Sequence, residues 1–328
     1  MRRKCFCSMM KNHYRAVISG PGKFHLEKVE TQRPIGREVL VRLEGCGVCA
    51  SNLQFWEGRS WVSYPLEAGA PGHEGWGIVE EIGDEVESVR VGDRVGILSK
   101  NAFSEVELVQ VEQVVRLPSN LAGMEFPGEA LARAMNIFQR ADIHAGQRVA
   151  IIGAGFLGSL LVQLVTGAGA TAIAISKRHS SLESARLMGA KYLIPFGDSY
   201  AALDEVGRVT AGEFCERVIE ATGYQEALDL AGELSAIGGK LVIAGAHRDG
   251  LRRVNLQLWN TRGLDVVTAY DHEPEVYLDG MRAAIEALGD GRLEPAPLYT
   301  HRFRLPDLPD AFELLVNRTD GFMKSLMT

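Results

Sequence analysis

The stretch Arg148-Val149-Ala150-Ile151-Ile152-Gly153-Ala154-Gly155-Phe156-Leu157-Gly158 decides the fold. Its first five residues form a short, branched, apolar run that reads as a strand, and residues 157–166 continue as an apolar helix. Gly153-x-Gly155-x-x-Gly158 sits at the joint. Glycine there allows a tight turn and close approach of backbone to a pyrophosphate, whose charge would lie at the amino end of the helix dipole. The spacing is weak evidence alone and specific in this strand-to-helix setting. Gly153, Gly155, Phe156, Leu157 and Gly158 are therefore the candidate dinucleotide contacts.

Working outward, the pattern alternates: strands over 172–176, 192–194, 217–220, 240–244 and 265–268, with helices over 180–188 and 225–234. Six strands in such an alternation predict an α/β, doubly wound Rossmann domain with a parallel sheet covered on both faces. The end of its second strand selects between nicotinamide cofactors, because an acidic residue there would bond a ribose 2'-hydroxyl and repel a 2'-phosphate. This chain has Ser176 followed by Lys177 and Arg178, a hydroxyl and two cations, so NADP(H) is expected over NAD(H).

Upstream, residues 14–118 carry short β-rich runs such as Glu38-Val39-Leu40-Val41-Arg42-Leu43, broken by Gly and Pro, and read as a compact β-rich domain. A length of 328 residues exceeds what one core usually serves, so two domains are expected. Net charge is −7, with 35 Lys and Arg against 42 Asp and Glu, which argues against a nucleic-acid footprint. Five cysteines without regular spacing imply no disulfide framework, and a reducing cytoplasm is the expected location. No apolar run approaches a membrane span or a signal sequence. Residues 1–13, which include Cys5 and Cys7, read as a disordered leader.

A second cluster carries different chemistry. Cys49 lies in Gly47-Val48-Cys49-Ala50-Ser51-Asn52-Leu53, His73 and Glu74 lie in Gly72-His73-Glu74-Gly75, and Glu129 precedes a helical stretch over 130–140. Mixed sulfur, nitrogen and oxygen donors suit zinc, and three protein ligands with one open position describe a catalytic rather than a structural site. Cys46-x-x-Cys49 could also suggest a metal knuckle or a redox pair. No second cysteine pair supports the first and no helix start supports the second, so Cys46 reads as a packed thiol.

These motifs, with Gly92-Asp93-Arg94-Val95, Gly128-Glu129-Ala130-Leu131 and Gly238-Gly239-Lys240-Leu241-Val242, resemble the zinc-dependent medium-chain dehydrogenase/reductase superfamily, near its sorbitol and threonine dehydrogenase branches. The resemblance covers residues 14–325. It implies a GroES-like catalytic domain over residues 1–130, a Rossmann nucleotide domain over 131–268, and a return segment, 269–328, that completes the first. It makes Cys49 and His73 zinc ligands, Glu129 the third ligand, Glu74 a near or exchanging ligand, and Ser51 the hydroxyl that passes on the substrate proton. It implies one catalytic Zn2+ per chain and a homodimer or homotetramer joined through the sheet edge at 254–268; the family's four-cysteine structural zinc lobe is absent, because Gly92-Asp93-Arg94-Val95 runs to Phe103-Ser104-Glu105-Val106 without a cysteine, so no structural zinc is expected.

Departures from the family pattern are Asn52, where Asp usually orients the zinc-bound histidine, and Gln54, where a histidine commonly relays the proton outward. The activity implied is hydride transfer between NADP(H) and a secondary alcohol, polyol or sugar hydroxyl, or the matching ketone, with no nucleic-acid or membrane partner. Trp56, Trp61, Tyr64, Trp259, Tyr270 and His272 are candidates for substrate-pocket walls, with core or interface packing the commoner role for any one of them. Competing readings are a zinc-free quinone or enoyl reductase of the same superfamily and a non-catalytic NADPH-binding sensor. Retention of Cys49, His73 and Glu129 counts against both.

Overall fold

A computed structural model describes residues 12–248 and 250–328. The leader expected over residues 1–13, with Cys5 and Cys7, lies almost wholly outside the described residues. Along the chain run β1 (Asn12–Gly20), β2 (Lys23–Glu30), β3 (Glu38–Val48), α1 (Leu53–Trp56), β4 (Gly75–Ile82), β5 (Arg94–Ile97), β6 (Val106–Gln110), β7 (Val114–Arg116) and α2 (Gly128–Ala141). Next come β8 (Arg148–Ile152), α3 (Phe156–Gly167), β9 (Thr171–Ser176), α4 (His179–Leu187), β10 (Tyr192–Pro195), α5 (Ser199–Val209), β11 (Cys215–Glu220), α6 (Gln225–Leu234), β12 (Ser235–Ile243), α7 (Leu256–Arg262), β13 (Asp265–Thr268) and α8 (Pro274–Gly289). The chain closes with β14 (Tyr299–Phe303), α9 (Leu308–Asn317) and β15 (Lys324–Met327).

The chain divides into two units, one formed by the described residues up to Leu131 together with Tyr299–Thr328, the other by Ala132–Leu298. In the first unit β1 and β2 form a hairpin, and a larger sheet runs β14-β15-β3-β4-β5-β7, with β6 also paired to β3. β15 comes from the chain's end and pairs antiparallel with β3, setting Ser325 opposite Val48 and Leu326 opposite Gly47. Cys46 faces a core of Ala16, Ile18, Trp56, Phe103 and Phe312, with Trp56 stacked on Phe312 at 4.7 Å between ring centroids. Trp56 is therefore core rather than pocket wall.

The second unit is a six-stranded parallel sheet in the order β10-β9-β8-β11-β12-β13, the doubly wound order whose direction reverses between β8 and β11. Val149, Ala150, Ile151 and Ile152 have no exposed surface, because a strand covered on both faces has no polar side to present. Each buried Val or Ile there contributes about 1.5–3 kcal/mol relative to exposure.

Two expectations need correction. The return segment begins near Tyr299 rather than at 269, because α8 packs within the second unit: Gly280 has Ala132 and Asn136 where a side chain would be, and Asn136 Nδ2 donates to Val276 O at 3.3 Å. A helix, α5, also stands between β10 and β11 where none was read. Asp198 starts it by accepting from Ala201 N at 2.8 Å, and Ala202 and Val206 fill the core.

Candidate active site

Cys49 follows the last residue of β3 and caps a short 3-10 turn, Ala50–Asn52. Its N–H donates to Asn52 Oδ1 at 2.9 Å and its sulfur accepts from Ser51 N at 3.5 Å, so the turn aims Sγ without help from regular structure. His73 and Glu74 arrive on the segment leading into β4. The ligating atoms of Cys49, His73 and Glu74 lie within 4.8 Å of one another, a sulfur, nitrogen and oxygen set with the chemistry of a zinc site. Glu129 sits in the first turn of α2, and its Oε2 is 3.8 Å from His73 Nε2, against 4.0 Å for Glu74 Oε1. Two carboxylates thus flank one imidazole nitrogen.

The orientation of His73 is set by backbone. Its Nδ1–H donates to Pro71 O at 2.9 Å, which points Nε2 at the sulfur and the carboxylates. Asn52 does not take this role. Its Nδ2 donates to the same Pro71 carbonyl at 2.9 Å, so Asn52 and His73 share an acceptor, and the carbonyl replaces the carboxylate expected at position 52. Ser51 Oγ lies 3.4 Å from His73 Nε2.

The electrostatics favour a cation at this nitrogen. Burial opposes a charged imidazole, yet the hydrogen bond and charge of Cys49, with the carboxylates of Glu129 and Glu74, raise His73 to about 10. Burial and Glu74 oppose ionisation of Cys49, but His73 and Lys324 outweigh them and the thiol is lowered. Cys46, by contrast, is pushed far up by burial, as befits a packed thiol. A site that stabilises a thiolate and a positive charge at Nε2 is suited to a metal that replaces the proton.

One member of the cluster was not read from sequence. Lys324, the first residue of β15, is buried and places Nζ 2.8 Å from Glu74 Oε1. Glu74 itself has no exposed surface, and a Cβ on Gly47 would fall 1.7 Å from its Oε2, so Gly47 is required for the carboxylate to lie there. No sequence pattern links Lys324 to residues 47–74, because the register of β15 against β3 alone brings it near.

The nucleotide motif has the geometry its spacing implied. Gly153 has φ 102°, and a Cβ there would meet Thr222 Cγ2 at 2.6 Å, while a Cβ on Gly158 would meet Gly153 O at 2.1 Å. A Cβ on Gly155 would meet nothing within 4 Å, leaving open space in front of the first turn of α3, which includes Phe156, Leu157 and Gly158 and has no side-chain cap. Ser176 ends β9 and is buried. Lys177 Nζ is paired with Glu226 Oε2 at 2.8 Å and lies over the Phe196 ring, and Arg178 is the N-cap residue of α4.

Residues 36–140 match the alcohol dehydrogenase GroES-like domain family and residues 157–277 match the zinc-binding dehydrogenase family. The chain is 25% identical over 340 residues to human sorbitol dehydrogenase, covering 92% of each, and 24% identical to L-threonine 3-dehydrogenase of Bacillus subtilis, covering 94% and 96%. A solved oxidoreductase/dehydrogenase of unknown specificity from Escherichia coli superposes with a TM-score of 0.87 at 23% identity, over 97% of this chain and 99% of that one. The chain belongs to the zinc-binding, medium-chain alcohol dehydrogenase superfamily, and is an oxidoreductase of that class. No helix among the described residues is long and apolar enough to cross a membrane.

Proposed function

We propose that the chain is a zinc-dependent oxidoreductase that moves a hydride between NADP(H) and a secondary alcohol, polyol or sugar hydroxyl, or the matching ketone. The observation that carries this reading is His73, whose Nε2 is turned by Pro71 O toward Cys49, Glu74 and Glu129. Bound there, zinc would supply Lewis acidity toward a substrate hydroxyl, and a nicotinamide would supply the hydride acceptor.

The chain's own residues do the remaining work. Cys49, His73 and Glu129 hold the metal, with Glu74 a neighbouring carboxylate able to exchange onto it. Ser51 Oγ receives the substrate proton, and its 3.4 Å separation from His73 Nε2 is within reach of a group beside that nitrogen. With Gln54 unable to titrate, the proton leaves through water or a cofactor hydroxyl. Gly155 gives a diphosphate room at the amino end of α3, and Ser176 with Arg178 favours a 2'-phosphate.

Two relatives are named for sorbitol and L-threonine, molecules that share a secondary hydroxyl, which supports that substrate class. The free thiols of Cys46, Cys49 and Cys215 suit a reducing cytoplasm. A homodimer or homotetramer through the edge of the nucleotide sheet completes the reading. The test is turnover of polyols, secondary alcohols and ketones with each cofactor. Metal-dependent, NADP(H)-preferring turnover of secondary hydroxyls is expected, and turnover that survives full metal removal would contradict it.

A further inference from the structure

Along α2, Glu129, Arg133, Asn136 and Arg140 recur every three or four residues and so share one side of the helix, with neighbouring Cβ atoms about 5–6 Å apart. Three of these side chains have an evident task. Glu129 is turned to His73 Nε2, at 3.8 Å. Asn136 holds Val276 O, and Arg140 donates to Thr268 O at 3.1 Å and pairs with Asp271. Arg133 carries a charge that none of these tasks uses.

Its contacts fix where that charge lies. Arg133 Nη2 donates to Ala244 O at 3.2 Å, and the guanidinium stands over the Tyr270 ring, 5.4 Å from its centroid. Ala244 is the first residue after β12 and Tyr270 the second after β13, so Arg133 sits at the carboxyl ends of these two strands. That is the rim where a doubly wound sheet binds its ligands. Arg133 is half-buried, Tyr270 is 58% exposed, and among the described residues no carboxylate forms an ion pair with Arg133. One face of the guanidinium is taken by the ring and one N–H by the carbonyl. Its other in-plane donors meet no acceptor among the described residues.

A purely structural arginine does not account for this. Arg140 and Asn136 already pin α2 to the segment after β13 and to α8, and one N–H contact to Ala244 O needs no charge. A half-buried cation without a counter-charge costs free energy that a single hydrogen bond to a carbonyl does not return in full. The cofactor's diphosphate is not the missing anion. It belongs at the amino end of α3, after β8, and β12 lies two strands from β8 in the order β8-β11-β12-β13, about 10 Å away. A 2'-phosphate would lie further off, on the β9 side of β8. The two mononucleotide halves of such a sheet divide between β8 and β11, so the nicotinamide and the molecule it reacts with fall to the side where Arg133 stands.

We propose that Arg133 is a specificity residue for the substrate, and that the substrate is an anionic alcohol, a secondary hydroxyl with a carboxylate or phosphate a few bonds away. This rests on the secondary-hydroxyl reading and narrows it. The planar guanidinium offers such a group two parallel N–H donors, and Tyr270 holds its plane. Glu129 and Arg133 are one turn apart on α2, about 5.4 Å along its axis, a separation that a single small molecule spans.

The experiment measures calorimetric binding and specificity constants for two matched pairs, 3-hydroxybutyrate with 2-pentanol and glycerol 3-phosphate with glycerol, on the full chain and on Arg133→Gln and Arg133→Lys. The parent should favour the anionic member of at least one pair by about tenfold or more, and the pair that shows it tells carboxylate from phosphate. Arg133→Gln, whose amide can still donate to Ala244 O, should cut that preference by about ten- to hundredfold in both binding and kcat/KM, the size of a charge-assisted hydrogen bond. Arg133→Lys should recover part of it, having the charge without the fork. A parent that favours the neutral member of both pairs, or an Arg133→Gln variant that loses equally on charged and neutral ligands, overturns the role of Arg133 and leaves the secondary-hydroxyl reading standing. A parent that binds the anions through Arg133 but turns over none of the four alcohols overturns that reading, and with it the place of Arg133 in substrate selection.

Discussion

Lys324 Nζ lies 2.8 Å from Glu74 Oε1 and 2.5 Å from Oε2, across 250 positions of sequence, and both side chains are buried. A buried carboxylate without a counter-charge is expensive, so Lys324→Met should destabilise the metal-free protein by about 3–5 kcal/mol. Zinc should restore more stability to the variant than to the parent, since Glu74 then finds a second cation within reach. Denaturant unfolding with and without zinc checks this. An equal zinc-linked gain in both proteins would show that Glu74 does not reach the metal.

Ser51→Ala should lower turnover by about a hundredfold or more with zinc content unchanged, as expected when a positioned proton acceptor is removed. Metal analysis and steady-state kinetics on one preparation decide the matter. Near-normal turnover with metal retained would mean that water takes the proton directly.

Glu107 offers a prediction about pH. Burial raises its pKa to about 7 from the usual 4.5, with Arg15 and the Ser99 hydroxyl opposing. Between those values the folded chain holds the proton more tightly than the unfolded chain does. The stabilising contribution is therefore complete below about 4.5 and is lost as pH rises through 7. Glu107→Gln should be more stable than the parent at pH 8 by on the order of 2 kcal/mol, and the advantage should shrink as pH falls to 4.5. Comparing variant with parent removes the opposite contribution of His13, which burial and Arg15 lower to about 4. A constant difference across this range would show that Glu107 titrates as an exposed carboxyl.

β13 ends the nucleotide sheet, and Val254, Leu256 and Val266 near this edge are exposed. If copies of the chain join there, Leu256→Glu combined with Val266→Lys should shift a dimer or tetramer to monomer, because an unpaired strand edge beside apolar surface is what such a contact buries. Light scattering checks it. An unchanged mass would move the interface elsewhere.

The nucleotide sheet was legible because its chemistry is local: strand, glycine turn and helix occupy consecutive residues, and the steric need for Gly153 and Gly158 is written in their spacing. α5 was missed although Asp198 and the Ala202–Val206 pair signal it, since two apolar residues one turn apart are a faint stripe. Cys49, His73 and Glu129 were legible as donor types. Their supports were not, because Pro71 contributes a carbonyl that every residue has, and Lys324 reaches Glu74 only through the pairing of β15 with β3. The early start assigned to the return segment had the same origin. Gly280 fits against Ala132, and only the folded chain shows which surface a small residue serves.

Zinc per chain, measured by elemental analysis on purified parent and on Cys49→Ala, tests the metal assignment most directly. One zinc in the parent is expected, with removal by a chelator abolishing turnover. Cys49→Ala should bind it far more weakly while keeping its fold, because a thiolate ligand is lost from a three-ligand site. A parent with no zinc, or a Cys49→Ala variant that retains both metal and turnover, would contradict the assignment.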